Sequence, residues 1–350
     1  QSNYDRLTLR SNNQFNLCDA TEERNFLNKL DLGANLSYMR VHNTGIDANS
    51  TWGSPLGSAL YLAPTLPIAL MGDIANKQID RYSAYDLYYD GNGNPYTIPG
   101  FIGSYNEQNN PIAMMQGNPQ KNWSHKFMPK FSLDLQLWDE LKYHFTYSAE
   151  LSFWGYEGAT LQKYYFSGNS NSDHTQATAY KGNNSTWQVE NTLTYDKTFG
   201  KHTIGVVLGQ SALKTKGDEL GGSHWNLVNT NKPSINYTTG GDLELSTDED
   251  GKVTGAKSLI GVWGGPYTQH RLSSLFSRIS YNYDEKYMVQ ATIRRDGSSR
   301  FGQNNKYGTF PSFSVGWNVM NEAVMAQTRD WLTNMKLRAS WGKNGNDNFG

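Results

Sequence analysis

Strict two-residue alternation of apolar and polar side chains recurs through most of this 350-residue chain. The clearest case begins at Lys142, where apolar Tyr143, Phe145, Tyr147, Ala149, Leu151 and Phe153 interleave with polar Lys142, His144, Thr146, Ser148, Glu150 and Ser152. Because successive side chains of a β-strand point to opposite faces, this pattern predicts strands with one apolar and one polar face. A soluble sheet can also have a dry and a wet face, so alternation alone predicts β-structure without deciding for a membrane.

The same pattern predicts about ten strands arranged as five hairpins. The predicted strands cover residues 4–11, 30–38, 131–137, 143–153, 187–195, 204–208, 275–283, 287–294, 313–319 and 335–342. Short turns near Asp139, Lys197, Asp284 and Asn321 alternate with long connections at 42–125, 155–185, 214–269 and 297–309. Outer-membrane barrels arrange their periplasmic turns and extracellular loops in this way, so we expect the long connections to lie outside the cell.

The length of the apolar column supports a lipid-facing band. Tyr143 and Phe153 are ten residues apart, which is roughly 33 Å along a strand at about 3.3 Å per residue. A tilt of about 40° reduces this to roughly 25 Å of height, the height of the apolar band of outer-membrane barrels. Aromatic residues at the two membrane interfaces would come from the same face: Tyr38, Trp187, Tyr195, Tyr283, Tyr287, Trp317 and Trp341.

Composition excludes several other classes of protein. The formal net charge of -1 gives no general attraction to nucleic acid, and hydrophobic residues make up 37% of the chain while aromatic residues make up 13%. The sequence contains no run of about 18 apolar residues, so it predicts no membrane-spanning helix. Cys18 is the single cysteine, so we expect no internal disulfide and no cysteine-based metal cluster. We expect no cofactor, no metal and no enzymatic activity, since nucleophile, phosphate-binding and dinucleotide motifs do not occur.

Three C-terminal segments resemble a known family. Residues 291–302 read ATIRRDGSSRFG, residues 306–317 read KYGTFPSFSVGW and residues 336–346 read KLRASWGKNGN. Together they look like the C-terminal barrel of SusC/RagA-type TonB-dependent outer-membrane transporters. NTGID at 43–47 and STWGSPLGSAL at 50–60 resemble an earlier barrel segment of the same family.

The resemblance implies a fold, a function and a set of partners. The fold class is an all-β, antiparallel transmembrane β-barrel segment, about ten strands of a 22-stranded type of barrel, with long extracellular loops. Residues 1–350 would form a partial barrel domain, and we expect the plug and the TonB-contacting segment to lie outside this chain. The implied function is TonB-dependent import of oligosaccharides or peptides across the outer membrane of a Gram-negative bacterium. Its partners would be a SusD-like surface lipoprotein, TonB and outer-membrane lipid, with no nucleic acid.

Candidate substrate contacts come from aromatic and charged residues near the long connections. Trp154, Trp225 and Trp263 are the candidates for stacking on sugar rings or peptide side chains, together with Trp52 and Trp123 in similar positions. Arg294 belongs to the densest charge cluster and is the candidate for bordering the substrate path, although structural pairing of this cluster across the barrel wall at the loop base is the favoured explanation. Each of these tryptophans could instead pack inside a loop.

Two alternative functions stay open at this point. A passive porin or a surface adhesin built on a barrel would share every strand feature. A soluble β-sandwich or propeller that binds or cleaves glycans would share the alternation and the aromatic content, and Glu150 and Glu190 could serve a glycosidase as paired carboxylates.

Overall fold

The computed structural model describes residues 3–18, 26–45, 54–103, 108–161, 174–239, 243–258, 260–302, 304–328 and 330–347. The strands are β1 Asn3–Cys18, β2 Lys29–Thr44, β3 Gln120–Gln136, β4 Leu141–Thr160, β5 Gln176–Phe199, β6 His202–Trp225, β7 Leu243–Thr247, β8 Val253–Ser258, β9 Ile260–Tyr283, β10 Tyr287–Ser298, β11 Tyr307–Asn318 and β12 Lys336–Gly342. The α-helices are α1 Pro55–Tyr61, α2 Asp73–Arg81, α3 Pro99–Ile102 and α4 Pro111–Gly117, and three 3-10 turns cover Ile235–Tyr237, Val319–Asn321 and Ala323–Thr328.

Ten of these strands form one open antiparallel sheet. Their order is β1-β2-β3-β4-β5-β6-β9-β10-β11-β12, and β7 and β8 form a separate two-stranded hairpin. Each strand of the large sheet therefore pairs with its neighbours in chain order, apart from the hairpin inserted between β6 and β9. This up-and-down order is the connectivity of a barrel wall. It confirms the predicted five hairpins and differs from the two packed sheets of a sandwich.

The hydrogen-bonding register places the alternating apolar columns that the sequence predicts for the ten strands on one face. Residues directly opposite each other in an antiparallel pair share a face, and the pairs Leu32↔Leu133, Leu133↔Phe145, Val206↔Ile279 and Val289↔Val315 continue the apolar face across the sheet. The same register places on this face all the aromatic residues predicted for the membrane interfaces, namely Tyr38, Trp187, Tyr195, Tyr283, Tyr287, Trp317 and Trp341. We call it the outward face and the opposite one the polar face.

Large apolar side chains of the outward face are exposed, as a surface that meets lipid requires. Leu208, Leu275 and Ile279 are 51–61% exposed, and Ile293 is 53% exposed. Among the described residues, no helix has the length and apolar character needed to cross a membrane.

Several strands are longer than the sequence pattern predicts. β1 continues to Cys18, whereas the predicted first strand ends at residue 11, and the long connections begin later and end earlier than 42–125, 155–185 and 214–269. Near the long connections the strands lose their apolar and polar alternation, because glycine faces an aromatic ring at several cross-strand positions. Backbone pairing continues there without the pattern that identifies a strand.

The connection between β2 and β3 forms a small folded insertion instead of an irregular loop. Its apolar core contains Tyr82 and Ile98, with Tyr85, Leu87 and Phe101 packed around them. Gln78 is fully buried, donates a hydrogen bond to the carbonyl of Tyr96 (2.9 Å) and accepts one from the amide of Ile98 (2.9 Å). Because a buried amide side chain is costly unless it is satisfied, this pair of hydrogen bonds fixes α2 against the strand-like segment at 95–98.

Candidate functional site

Four aromatic rings lie together on the polar face at the long-connection end of β4, β5 and β9. The register pairs Tyr156 with Tyr180, Tyr180 with Gly221, and Gly221 with Trp263, so these residues form one line across β4, β5, β6 and β9. Trp154 lies two residues before Tyr156 and therefore on the same face. We call Trp154, Tyr156, Tyr180 and Trp263 the aromatic row.

Glycine makes room for the rings of the aromatic row. A Cβ atom at Gly221 would lie 2.5 Å from the ring of Trp263 and 2.6 Å from the Cβ of Tyr180. A Cβ atom at Gly182 would lie 2.6 Å from the ring of Trp154. Both tryptophan rings therefore lie against glycine backbone, at a distance that a residue with a side chain would not permit. Trp263 is 39% exposed.

The two tyrosines of the row stack on each other. The ring centroids of Tyr156 and Tyr180 are 5.0 Å apart and the ring planes differ by 13°. Such aromatic pairs contribute about 0.5–1.5 kcal/mol beyond the area that they bury. The two tyrosine rings therefore link β4 and β5 within the row.

A small polar pocket of about 220 Å³ adjoins Tyr156. Its walls include the amide side chains of Asn118, Gln120 and Gln176 and the hydroxyl group of Thr178. Amide and hydroxyl groups both donate and accept hydrogen bonds and carry no net charge. Aromatic surface beside such groups suits a ligand with an apolar ring face or side chain and several neutral polar groups.

The structure brings two of the four sequence-predicted contacts together. Trp154 and Trp263 belong to the aromatic row. Trp225 is on the polar face opposite Gln176, four residues further along β6 than Gly221, which is about 14 Å at about 3.4 Å per residue. The ring of Trp225 meets His174 edge-on, with ring centroids 5.6 Å apart.

Arg294 lies on the polar face far from the aromatic row. It aligns with Phe276, Gly209 and, through β5, with Thr192, which is twelve residues along β5 from Tyr180 and so about 40 Å away at about 3.4 Å per residue. Its Nε donates to both carboxylate oxygens of Asp296 (2.7 and 2.9 Å), and its Nη2 donates to the hydroxyl of Ser274 (2.9 Å). Its contacts to Asp296 and Ser274 match the acid-pairing explanation of this cluster, and a role beside the substrate path stays a prediction.

The other tryptophan candidates divide between the outward face and the undescribed part of the chain. Trp123 pairs with His42 and Gly155 on the outward face, away from the aromatic row, and its role as a stacking contact stays a prediction. The face on which it lies is set by register, because one residue along a strand exchanges the two faces. Trp52 lies outside the described residues.

Sequence reasoning missed Tyr156 and Tyr180, which complete the aromatic row. A signal for Tyr156 was present, since it continues the two-residue spacing from Trp154. Tyr180 becomes recognisable only through the pairing of β5 with β4 and β6, which the sequence does not reveal.

Two contacts between titratable side chains lie on the polar face at the level of the outward apolar band. Lys126 forms an ion pair with Glu150 (2.8 Å), and His144 contacts Asp134 (2.5 Å). Partly solvated polar contacts of this kind suit a wet lumen. Glu150 is therefore engaged by a lysine and by the hydroxyl of Ser152 (3.1 Å), and the paired-carboxylate alternative has no geometric support from it.

Comparisons with known proteins agree with this geometry. No protein-family model matches the sequence. A TonB-dependent receptor of Formosa agariphila is 34% identical over 166 residues, which is 47% of this chain and 14% of that protein. The TonB-dependent receptor SusC of Bacteroides thetaiotaomicron is 25% identical over 337 residues, which is 93% of this chain and 29% of SusC.

Among solved structures, the RagAB peptide transporter is similar to the whole chain. The match has a TM-score of 0.67 at 18% identity and covers 100% of this chain and 34% of that one. The chain thus spans about a third or less of the length of these relatives. The structural match shows the fold, and the sequence matches point to the same group of proteins. The resemblance to SusC/RagA-type TonB-dependent outer-membrane transporters that the sequence motifs indicate is therefore confirmed, and it concerns the strands of the transmembrane β-barrel wall.

Proposed function

We propose that this chain is part of the barrel wall of an outer-membrane importer of oligosaccharides or peptides, and that the aromatic row is a substrate contact of its lumen. The observation that carries the proposal is the position of Trp154, Tyr156, Tyr180 and Trp263 on the polar face, at the end that carries the long connections. A solute that enters from outside meets this end first.

The chemistry of the row suits these two substrate classes. Sugar rings and apolar peptide side chains stack on exposed aromatic faces, and hydroxyl or peptide groups find neutral partners in Asn118, Gln120 and Gln176 beside Tyr156. Transport needs no covalent step, so the importer is not an enzyme in this proposal.

The rest of the machinery follows from the relatives. SusC is named a TonB-dependent receptor and RagAB a peptide transporter. In this proposal the importer resides in the outer membrane of a Gram-negative bacterium, receives energy through TonB and works with a SusD-like lipoprotein at the surface. Residues 1–350 form one part of its barrel domain, and the plug and the TonB-contacting segment lie elsewhere in the protein.

Uptake measurements in cells test the proposal. The full-length gene is deleted and replaced by wild type, Trp154→Ala, Trp263→Ala or Trp123→Ala, and growth on single oligosaccharides and on single peptides is compared. Trp123 is the matched control, because its ring also lies over a glycine, 2.5 Å from a Cβ built at Gly155, but on the outward face. Immunoblots of outer membranes verify equal amounts of each protein.

We expect Trp154→Ala and Trp263→Ala each to raise the half-saturating substrate concentration by about 2- to 13-fold, the loss of one stacking contact worth about 0.5–1.5 kcal/mol. Trp123→Ala should leave it unchanged. Uptake that persists at full rate without TonB would instead establish a passive porin. Equal effects of all three substitutions would remove the aromatic row as a substrate contact.

A further inference from the structure

Three cationic side chains lie on the outward face at the long-connection end of the sheet, two of them directly opposite each other and the third, Arg295, opposite Leu275, four residues along β9 from Arg271. Lys214 of β6 lies directly opposite Arg271 of β9, and the carbonyl of Arg271 accepts a hydrogen bond from the amide of Ser299 just beyond β10 (2.9 Å). Arg295 of β10 extends its guanidinium over the ring of Tyr307, 4.9 Å from the ring centroid. We call Lys214, Arg271 and Arg295 the outward basic patch.

The cations of the patch have no carboxylate partner among the described residues. Like charges directly opposite each other in a sheet destabilise it. Within the described ranges, no carboxylate forms an ion pair with Lys214, Arg271 or Arg295; the neighbouring Asp218 pairs with Lys216 instead (3.7 Å). Two like charges held side by side without a counter-charge indicate that the anion comes from outside the chain.

At the short-turn end of the sheet, three lysines form ion pairs with carboxylates. There Lys197 pairs with Glu140 (3.2 Å), and Lys201 and Lys286 both pair with Asp284 (3.1 Å each). These three lysines therefore have a carboxylate partner within the chain, whereas the cations of the outward basic patch form no ion pair with a described carboxylate.

Aromatic residues place the patch at the depth of lipid headgroups. Trp187 lies directly opposite Lys214 on β5, and Tyr307 lies under the guanidinium of Arg295. Tryptophan and tyrosine on the outward face of a barrel mark the membrane–water interface. A cation at this depth meets phosphate groups, which guanidinium groups bind with two parallel hydrogen bonds.

Exposed apolar side chains continue from the patch toward the middle of the membrane. Leu275 is opposite Arg295, and Ile279 and Leu208 follow further along β9 and β6; all three are more than half exposed on the outward face. A phosphate joined to acyl chains would satisfy the cations and cover these side chains together, whereas free phosphate would satisfy only the cations. We propose that the outward basic patch binds the phosphorylated headgroup of a lipid of the outer leaflet.

Lipid binding by the purified full-length protein in neutral detergent tests this proposal, which goes beyond the import function and does not depend on it. Native mass spectrometry counts bound molecules during titration with dioleoylphosphatidic acid, with dioleoylphosphatidylcholine and with inorganic phosphate. The test variant is Lys214→Gln/Arg271→Gln. The control variant, Lys201→Gln/Lys286→Gln, removes two lysines from the short-turn end. Arg271→Lys keeps the charge and serves as the comparison if the test variant folds poorly.

We expect wild type to bind phosphatidic acid at least ten-fold more tightly than phosphatidylcholine, and Lys214→Gln/Arg271→Gln to weaken that binding by about 10- to 30-fold. The control variant should stay within about two-fold of wild type, whereas Arg271→Lys should weaken phosphatidic acid binding by more than about two-fold, because lysine cannot make the two parallel hydrogen bonds of a guanidinium. Phosphatidic acid binding that survives in the test variant would overturn the proposal. Displacement of the lipid by equimolar inorganic phosphate would also overturn it, because the site would then select a free anion.

Discussion

Replacing Ala291 by arginine is expected to destabilise the folded protein in a bilayer. Ala291 is on the outward face of β10, four residues from Tyr287 at one boundary of the apolar band and four from Arg295 at the other. At about 3.4 Å per residue and a tilt of about 40°, both boundaries are roughly 10 Å away, so this position is near the bilayer midplane. Its cross-strand neighbours, Ile279 and Phe313, are apolar and exposed.

The magnitude follows from this depth. An arginine on the lipid face of a barrel costs about 2–4 kcal/mol at the midplane and about 0–1 kcal/mol near the interfaces. The equilibrium between the folded and unfolded protein should therefore shift by about 30- to 1,000-fold toward unfolding, since 1.4 kcal/mol corresponds to about ten-fold. The matched control is Gln290→Arg, because Gln290 is on the polar face between Ser280 and Ser314. We expect this control to change the free energy of unfolding by less than about 0.5 kcal/mol.

Urea titration of the full-length protein refolded into phosphatidylcholine vesicles measures both values, with folding followed by the shift of the band in unheated gels. Ala291→Leu distinguishes charge from size and should be tolerated. The reasoning fails if Gln290→Arg destabilises the protein as much as Ala291→Arg, because the two faces of β10 would then meet the same medium. It also fails if both arginine variants are as stable as wild type.

Two smaller predictions concern the aromatic row and one turn. Gly221→Ala should weaken substrate binding by about 2- to 13-fold, because the new Cβ displaces the ring of Trp263 and one stacking contact is lost. In the control variant Gly316→Ala, the new Cβ would meet no atom closer than 3.6 Å, so this variant should bind substrate normally in calorimetric titrations. Equal weakening in both variants would argue against the packing explanation. Hydrogen bonds from Lys201 and Lys286 lower the pKa of Asp284 from its ordinary value of 3.8, so the stability that this carboxylate contributes is present above about pH 4 and is lost as the pH falls through the lowered pKa. Asp284→Asn should therefore reduce the difference between the urea midpoints measured at pH 7 and pH 3, and an unchanged difference would show that the turn does not contribute.

Much of the fold follows from the sequence because the lipid band imposes a strict pattern. Inside the band every second side chain must be apolar, so strands such as residues 287–294 are visible as alternation, and their pairing follows from the short turns. Asp284 and Glu285 form one such turn, with both residues at positive φ (54° and 55°). That is the backbone geometry of a tight two-residue hairpin.

Beyond the band the pattern disappears, and prediction fails there for a physical reason. Gly182 and Gly221 occupy strand positions that a sequence reader assigns to loops, yet each makes space for a tryptophan ring. The aromatic row depends on pairs such as Tyr156↔Tyr180, which join residues 24 apart across two strands. The face of Trp123 depended in the same way on the register with β2. Register across a long connection cannot be counted from the sequence when the strand ends are unknown.

The length of β5 and β6 has a consequence for how a solute first meets this wall. β5 spans 24 residues, and Tyr180 lies seven residues beyond Trp187, which is roughly 23 Å along the strand at about 3.3 Å per residue. β5 and β6 therefore extend well above the lipid headgroups, and the aromatic row lies in this extended part of the wall. A bulky polymer could engage them with one end while the remainder still projects into the medium, so capture need not wait until the whole molecule has entered the pore.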